Sequence, residues 1–272
     1  MASAIGLVSL LAWIALKPIN QKNGFNRKFI ATELSMLKAV EKDDIVIGIA
    51  GATGYHIYFK TKDPATLWVT DRNLENGKYI TLSVPNNQRI ASAFYTVVDS
   101  PTVHIMAGNG PAVIKADLNG GASSIKKFPT AVFTRAVVIG PNSYVFRGFD
   151  TTKKRVGQIF IKGNPFTGEL VREKNITDKG KDAAGITTDG YLNYDAKTSL
   201  LTYSSYYRNQ FFCLDTNLNL IYTGHTIDTV STFQVEAGQV GTKITNTSPA
   251  RTINSKSRVA NGKLYIISKV AR

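Results

Sequence analysis

The chain has 272 residues, of which 43% are hydrophobic and 19% are charged, so it is neither disordered nor too short to bury a sizeable core. Its single cysteine, Cys213, excludes an internal disulfide framework and a metal site built from several cysteines, and its apolar neighbours predict a buried, inert thiol. The net charge of +14 favours anionic partners, yet no block of Lys or Arg is long, so we interpret the excess as solvated surface and expect no nucleic-acid partner.

The first sixteen residues form an uncharged, apolar segment that ends at Lys17-Pro18. As a helix, the segment would span about 24 Å, slightly less than the hydrocarbon core of a bilayer. Trp13 suits a membrane interface, and the segment lacks the positive n-region and the small-residue cleavage site of a signal peptide. We therefore predict a hydrophobic helix over residues 1–17, as a transmembrane anchor or an uncleaved signal, and a linker over residues 18–43.

The charges around this segment leave the orientation in the membrane open. Lys17, Lys22, Arg27 and Lys28 follow the segment, and the positive-inside rule would then keep the rest of the chain in the cytoplasm. An exported body follows if the natural start lies upstream and carries further positive charge. Of the two locations for the body, we prefer the periplasm to the cytoplasm.

From Ile45 onwards, short runs rich in Val, Ile, Tyr, Phe and Thr alternate with turn residues, which is typical of β-strands. Three turns share a signature at Asp71, Asp117 and Asp215, and the aspartates lie 46 and then 98 residues apart. The missing copy falls near Asn164, where a different turn sequence occurs. A period in the high forties is expected of stacked four-stranded units, as in a propeller.

Each repeat is predicted to hold an inner strand, two central strands and an outer strand. The central strands of four successive units are His56–Phe59 with Leu67–Thr70, His104–Ala107 with Ala112–Lys115, Tyr144–Phe146 with Val156–Ile161, and Leu201–Tyr203 with Gln210–Leu214. A fifth unit begins at Lys263, and its turn should fall beyond Arg272. We therefore predict an all-β, β-propeller-like fold over residues 44–272, with about six blades when complete and truncated in this chain. A β-sandwich is the alternative, although it would not need so constant a period.

Five segments resemble those of a known family. They are Gly24-Phe25-Asn26-Arg27, Gly48-Ile49-Ala50-Gly51, His56-Ile57-Tyr58, Tyr206–Phe211 and Thr226–Thr229. Over residues 20–272 the chain is similar to uncharacterised, membrane-anchored, propeller-like proteins of Bacteroidota bacteria. This resemblance implies a bacterial origin, a membrane anchor and a further strand-rich segment beyond the end of the chain. Because the family has no assigned activity, the resemblance implies no catalytic residues.

The densest group of candidate binding residues is Tyr206-Tyr207-Arg208-Asn209. Aromatic faces beside arginine and asparagine suit a glycan or a peptide, although the same residues are also common in hairpins. Arg147 aligns with Lys60 of the first unit and would add a cation near the same face. The sequence therefore predicts a ligand site around these residues.

Two histidines are weaker candidates for ligand binding. His56 and His104 lie 48 residues apart, which would give them equivalent positions in the first two units and let them converge on the axis. A metal would need further ligands, and the third and fourth units offer only Ser143 and Leu200 at the matching positions. A structural role is therefore favoured for both histidines, and we predict no metal site and no cofactor.

Two classes of function remain open. No nucleophile elbow, P-loop or dinucleotide fingerprint occurs, and no close pair of carboxylates stands out as acid and base. The first class is a membrane-anchored binding or scaffold module for a protein, peptide or glycan. The alternative is a propeller hydrolase or lactonase with an axial metal site. The scarcity of histidine and of clustered carboxylates favours the binding module.

Overall fold

All regular secondary structure in the residues that the computed structural model describes is β-strand. These residues are 36–42, 45–85, 90, 94–108, 110–127, 131–150, 158–173, 176, 185, 187–228, 230–231, 237–240, 243–246 and 251–269. Within these ranges the strands form four antiparallel sheets of four strands and two further antiparallel pairs. We refer to the four sheets as units 1 to 4, and to the last pair as the fifth pair.

The strands follow one another in chain order. Units 1 and 2 hold β1 (Val46–Ala52), β2 (His56–Thr61), β3 (Thr66–Asp71), β4 (Lys78–Thr81), β5 (Phe94–Asp99), β6 (Thr102–Ala107), β7 (Ala112–Asp117) and β8 (Ser124–Lys127). Units 3 and 4 hold β9 (Ala131–Gly140), β10 (Ser143–Asp150), β11 (Ile159–Asn164), β12 (Glu169–Arg172), β13 (Gly190–Asp195), β14 (Leu200–Ser205), β15 (Gln210–Asp215) and β16 (Leu220–His225). The pairs are β17 (Ala237–Val240) with β18 (Lys243–Asn246), and β19 (Asn254–Ala260) with β20 (Lys263–Ser268), the fifth pair.

The first strands of successive units lie side by side, which is the arrangement of propeller blades. Strand β1 contacts β5, β5 contacts β9, β9 contacts β13, and β13 contacts β19. Strands β13 and β19 run in the same direction. Asn193 Nδ2 donates to Ser257 Oγ at 2.8 Å, and further along both segments the amide of Gly262, just after β19, donates to Asp195 Oδ2 at 2.6 Å. The predicted all-β, propeller-like fold is therefore confirmed as a four-blade arrangement over units 1 to 4, whereas the total number of blades stays a prediction.

The recurring turn between the third and fourth strands has the same side-chain hydrogen bond in each of units 1 to 4. Asp71, Asp117 and Asp215 each accept a hydrogen bond at Oδ1 from the amide two residues later, at 2.9, 2.7 and 2.8 Å. The side chain of Asn164 does the same for Phe166 at 3.0 Å. This is the Asx turn, in which a short polar side chain bonds its own backbone. The predicted missing copy of the turn is thus confirmed at Asn164.

Replacing Asp215 by alanine is expected to lower the free energy of unfolding by about 1 kcal/mol, because Oδ1 also accepts the Asn219 amide and Oδ2 accepts Asn219 Nδ2. Burial alone would raise the pKa of this carboxyl, but the hydrogen bonds from Asn219 and Asn217 outweigh it and hold the pKa below the ordinary value. Urea denaturation measures the effect. The control is Asp215→Asn, which keeps the Oδ1 acceptor that unit 3 uses and should retain most of the stability; equal losses in both variants would contradict this account.

Apolar side chains fill the spaces between successive units. One cluster joins units 1 and 2, a second joins units 2 and 3, and a third joins units 3 and 4. The two faces of β10 separate the last two clusters, since Tyr144 and Phe146 face unit 2 while Val145 faces unit 4. Cys213 lies buried on β15, as predicted, and burial raises the pKa of its thiol.

The interface between unit 4 and the fifth pair is polar instead. Ser257 Oγ accepts hydrogen bonds from Asn193 Nδ2 at 2.8 Å and from Ser204 Oγ at 2.7 Å, and all three residues are buried. Asn254 Nδ2 donates to the Ser205 carbonyl at 2.7 Å.

The prediction that a fifth unit begins at Lys263 was wrong by one strand, because β19 precedes that residue and pairs with β20.

The antiparallel order gives the units two different ends. At one end, which we call the turn end, lie the first-to-second and third-to-fourth strand turns, including the Asx turns. At the other end, which we call the loop end, lie the second-to-third strand connections and the points where the chain leaves one unit for the next, such as the ends of β12 and β16. Loops positioned by a rigid sheet scaffold are common places for binding residues.

The chain divides into two compact parts, Met1–Ala39 and Val40–Arg272. In the first, the described residues 36–39 are exposed and have no regular secondary structure. The predicted anchor over residues 1–17 lies outside the described residues, as does most of the predicted linker, and both stay predictions. Among the residues that the structure describes, no helix has the length and apolar character needed to cross a membrane.

Candidate binding site at the loop end

The segment Tyr206–Asn209 connects β14 to β15 at the loop end and is fixed by backbone hydrogen bonds on both sides. The Tyr206 amide donates to the Asp189 carbonyl at 2.9 Å, and the Asn209 amide donates to the Val230 carbonyl at 2.8 Å. Asn209 is buried, and its Nδ2 donates to the Asp228 carbonyl at 2.6 Å. Of the four residues predicted here, Asn209 therefore holds the connection in place, while its neighbours face the site.

Arg135, on the inner strand of unit 3, links units 2, 3 and 4. Its Nε donates to the Gly190 carbonyl at 2.8 Å, and its Nη1 donates to the Tyr95 hydroxyl at 3.1 Å. Its Nη2 donates to Asp189 Oδ2 at 2.9 Å and to the Tyr206 hydroxyl at 2.8 Å. Burial disfavours the charged guanidinium, but Asp189 and the tyrosines outweigh this effect and raise the pKa of Arg135. The network gives this end of the molecule a rigid floor.

Three tyrosines stand edge to face above this floor. The ring centroids of Tyr191 and Tyr206 lie 4.6 Å apart at 74°, and those of Tyr206 and Tyr207 lie 6.0 Å apart at 88°. Burial raises the pKa of Tyr206, with Arg135 opposing the rise in part. Burial also raises the pKa of Tyr207, which is half-buried. Both phenols therefore stay neutral at physiological pH and can donate hydrogen bonds.

A cavity lies beside this cluster, between units 3 and 4. It has room for about one water molecule and is lined by Arg147, Phe160, Thr188, Tyr203, Ser205, Arg208 and Phe212. The Tyr203 hydroxyl donates to the Thr188 carbonyl at 2.7 Å, and burial raises the pKa of Tyr203 to about 12. The cavity thus combines two arginines and three hydroxyl groups with aromatic walls.

The structure brings Arg147 and Arg208 to the same cavity. The predicted equivalence of Arg147 with Lys60 is also confirmed. Arg147 pairs with Phe160, four residues before the turn residue Asn164, and Lys60 pairs in the same way four residues before the turn of unit 1. Burial, and then Arg258 nearby, lower the pKa of Lys60.

The two predicted histidines do not join this site. His56 is exposed and pairs with the turn residue Asp71, whereas His104 is buried and pairs with Lys115, two residues before its own turn residue. The prediction that they occupy equivalent positions was therefore wrong, since Thr102 is the partner of Asp117 in unit 2. His104 Nδ1 lies 2.9 Å from the Tyr144 hydroxyl, so it joins units 2 and 3.

Sequence reasoning missed Arg135, Asp189 and Thr188 in this part of the molecule. A signal for Arg135 does exist, since it is the only charged residue in Ala131–Gly140, an otherwise largely apolar strand. A lone charge in such a run must find partners once the strand is packed. No comparable signal marks Asp189 or Thr188, which lie in a connection.

Among the residues that the structure describes, no group of three or more His, Cys, Asp or Glu side chains is arranged to hold a metal ion.

No protein-family model matches the chain, and neither does any curated protein. Many solved structures are similar to it, among them the following three. Streptogramin B lyase is 12% identical with a TM-score of 0.46, and the match covers 69% of this chain and 56% of that one. Virginiamycin B lyase from Staphylococcus aureus is 11% identical with a TM-score of 0.48, over 84% and 65% of the two chains. A member of the DUF4221 family from Bacteroides vulgatus is 15% identical with a TM-score of 0.48, over 70% and 60%.

The chain thus spans less than two thirds of the length of each of these proteins. At such low identities the similarity concerns the fold alone. The resemblance to a membrane-anchored family of Bacteroidota stays a prediction.

Proposed function

We propose that this chain is a non-enzymatic binding module that recognises a peptide or a segment of a protein at its loop end. The proposal rests on one observation: an aromatic and basic cluster is held rigidly where units 3 and 4 meet. Arg135 fixes Tyr206 from below, and the backbone of the segment Tyr206–Asn209 is bonded on both sides. A preorganised surface of this kind loses little conformational entropy when a ligand binds.

The chemistry of the cluster suits a peptide. Tyrosine offers a large apolar face with a polar tip, and Arg208 places a cation over the ring of Phe212, with its Cζ 5.8 Å from the centroid. Tyrosine and arginine are the side chains that contribute most to protein interfaces. Glycans also stack on aromatic rings, so a glycan is the competing ligand class.

The test is to probe a peptide array and a glycan array with the full chain and with three variants. We expect the full chain to bind a subset of peptides, and Tyr207→Ala and Arg208→Ala to weaken that binding at least about tenfold, or about 1.4 kcal/mol. The matched control is Tyr55→Ala, which removes an exposed tyrosine from the turn end and should leave binding unchanged.

Three outcomes would count against the proposal. Binding of glycans without peptides would replace the ligand class, and equal binding by all three variants would remove the loop end as the site. Failure to bind either array would count against a binding function for this surface.

A further inference from the structure

We infer that the cavity between units 3 and 4 binds a carboxylate group, which Arg147 and Ser205 hold from its buried wall. The inference rests on the proposed function in one respect, because it identifies the carboxylate as part of the ligand recognised at the loop end. The following observations on the two side chains support it independently of any ligand.

Arg147 is a fully buried cation, with 1% of its surface exposed. Its Nη1 donates to the Gln158 carbonyl, and its Nη2 donates to Thr188 Oγ1 at 2.8 Å. The rings of Phe160 and Tyr203 lie against the guanidinium, with centroids 4.9 and 5.3 Å from Cζ. These contacts solvate the charge in part, but in the described part of the chain no carboxylate lies within ion-pair distance of it.

A buried charge without a counter-ion is unfavourable, and proteins normally pair such a group or use it for a ligand. Asp189, which follows the Arg147 partner Thr188 in the chain, forms its ion pair with Arg135 at 2.9 Å. An anion bound from solution would therefore supply the negative charge that the described residues do not place beside Arg147.

Arg147 Nε and Ser205 Oγ lie on the cavity wall and have no hydrogen-bond partner within the part of the chain that the structure describes, and both residues are 1% exposed. Each lies on a strand, Arg147 on β10 and Ser205 on β14, so their positions are set by sheet pairing rather than by a loop. An unsatisfied buried donor in a native protein is often explained by a bound water, ion or ligand.

The size of the cavity selects among anions. The whole cavity has room for roughly one water-sized atom and is open at its mouth, so it would admit one oxygen of a planar carboxylate. A tetrahedral phosphate or sulfate is bulkier in every direction. A hydrogen bond from the charged Arg147 to the carboxylate oxygen would be charge-assisted, and such bonds are shorter and stronger than those between neutral groups. Arg208 lines the same space and adds positive potential.

The experiment is a thermal denaturation of the full chain titrated with sodium formate, with sodium chloride as the arm of equal ionic strength. Formate should raise the melting temperature in a saturable way above the chloride arm. Ser205→Ala should weaken the apparent affinity for formate about tenfold or more, and Arg147→Met should abolish the response. Thr202→Ala, which removes another buried hydroxyl from β14 away from the cavity lining, should respond as the wild type does.

The source of the carboxylate is resolved by a second pair of probes. N-acetylglycine should compete with formate if the cavity takes the end of a peptide chain, whereas its amide should not. An equal formate response in wild type and Arg147→Met, or no response in the wild type, would overturn the inference. Should Arg147→Met fail to fold, the comparison of Ser205→Ala with Thr202→Ala still decides the matter.

The two proposals can fail separately. Loss of peptide binding in the array, together with a formate response that depends on Ser205, removes the proposed function and keeps the carboxylate site. Peptide binding that depends on Tyr207 but not on Arg147 or Ser205 does the reverse.

Discussion

Replacing Arg135 by methionine is expected to lower the free energy of unfolding by about 3 kcal/mol, which corresponds to a fall of roughly 10 °C in melting temperature. The guanidinium bonds groups from three units, and its side chain is only 21% exposed. Methionine fills a similar volume but donates no hydrogen bond, so Asp189 loses this ion pair and the Gly190 carbonyl loses this donor. Urea and thermal denaturation of the full chain measure the change.

A second arginine provides the matched control for this substitution. The guanidinium of Arg251 lies 3.9 Å from Asp228 and its side chain is 42% exposed, so Arg251→Met should cost less than about 1 kcal/mol. A double-mutant cycle of Arg135→Met with Asp189→Asn should show a coupling of about 1 kcal/mol or more. If the two arginine variants were equally stable, the proposed bridge between units would be refuted.

Acidification from about pH 6.5 to pH 4 is expected to remove up to about 3 kcal/mol of folding free energy through His104 alone. Burial, and then Lys115, lower the pKa of His104 to about 4, with Asp99 opposing the shift. An unfolded histidine titrates near 6.5, so within this window the unfolded chain binds the proton and the folded chain does not. Stability is therefore retained above pH 6.5 and lost progressively as the pH falls from 6.5 to the folded pKa near 4, below which His104 causes no further loss.

Denaturation curves of His104→Gln across the same pH range isolate this contribution. Carboxyl groups titrate in wild type and variant alike, so the difference between the two curves belongs to His104. The difference should change steeply between pH 6.5 and 4, and His56→Gln, which removes an exposed histidine instead, is the matched control. Parallel curves for His104→Gln would show that the buried ring does not control acid stability.

The turns and central strands could be predicted from the sequence because their chemistry is local. An aspartate that bonds the amide two residues later needs no distant partner, and the strands before it are rich in branched and aromatic residues. The inner strands of units 2 to 4 were not assigned in this way. In β13 and β19 the polar residues Asn193 and Ser257 interrupt the apolar alternation, since their partners belong to the neighbouring unit.

The candidate site was only partly predictable, because its contacts join distant parts of the chain. Arg135 lies 54 residues from Asp189 and 71 from Tyr206, and no spacing rule connects them.

The wrong assignment of the two histidines, by contrast, could have been avoided by comparing sequence spacings. His56 and His104 are 48 residues apart while the corresponding turns are 46 apart, and the difference of two residues is the shift that the strand pairing shows.

The polar interface between unit 4 and the fifth pair has a consequence for how that pair finds its place. Hydrogen bonds are directional, so sliding β19 by one residue would withdraw Ser257 from both Asn193 and Ser204 and leave buried polar atoms unsatisfied. An apolar interface, which has no such directionality, would tolerate the same slip at lower cost. The hydrogen bonds at this interface therefore fix the register of the fifth pair against unit 4, and a strand without matching polar side chains would pack there less stably.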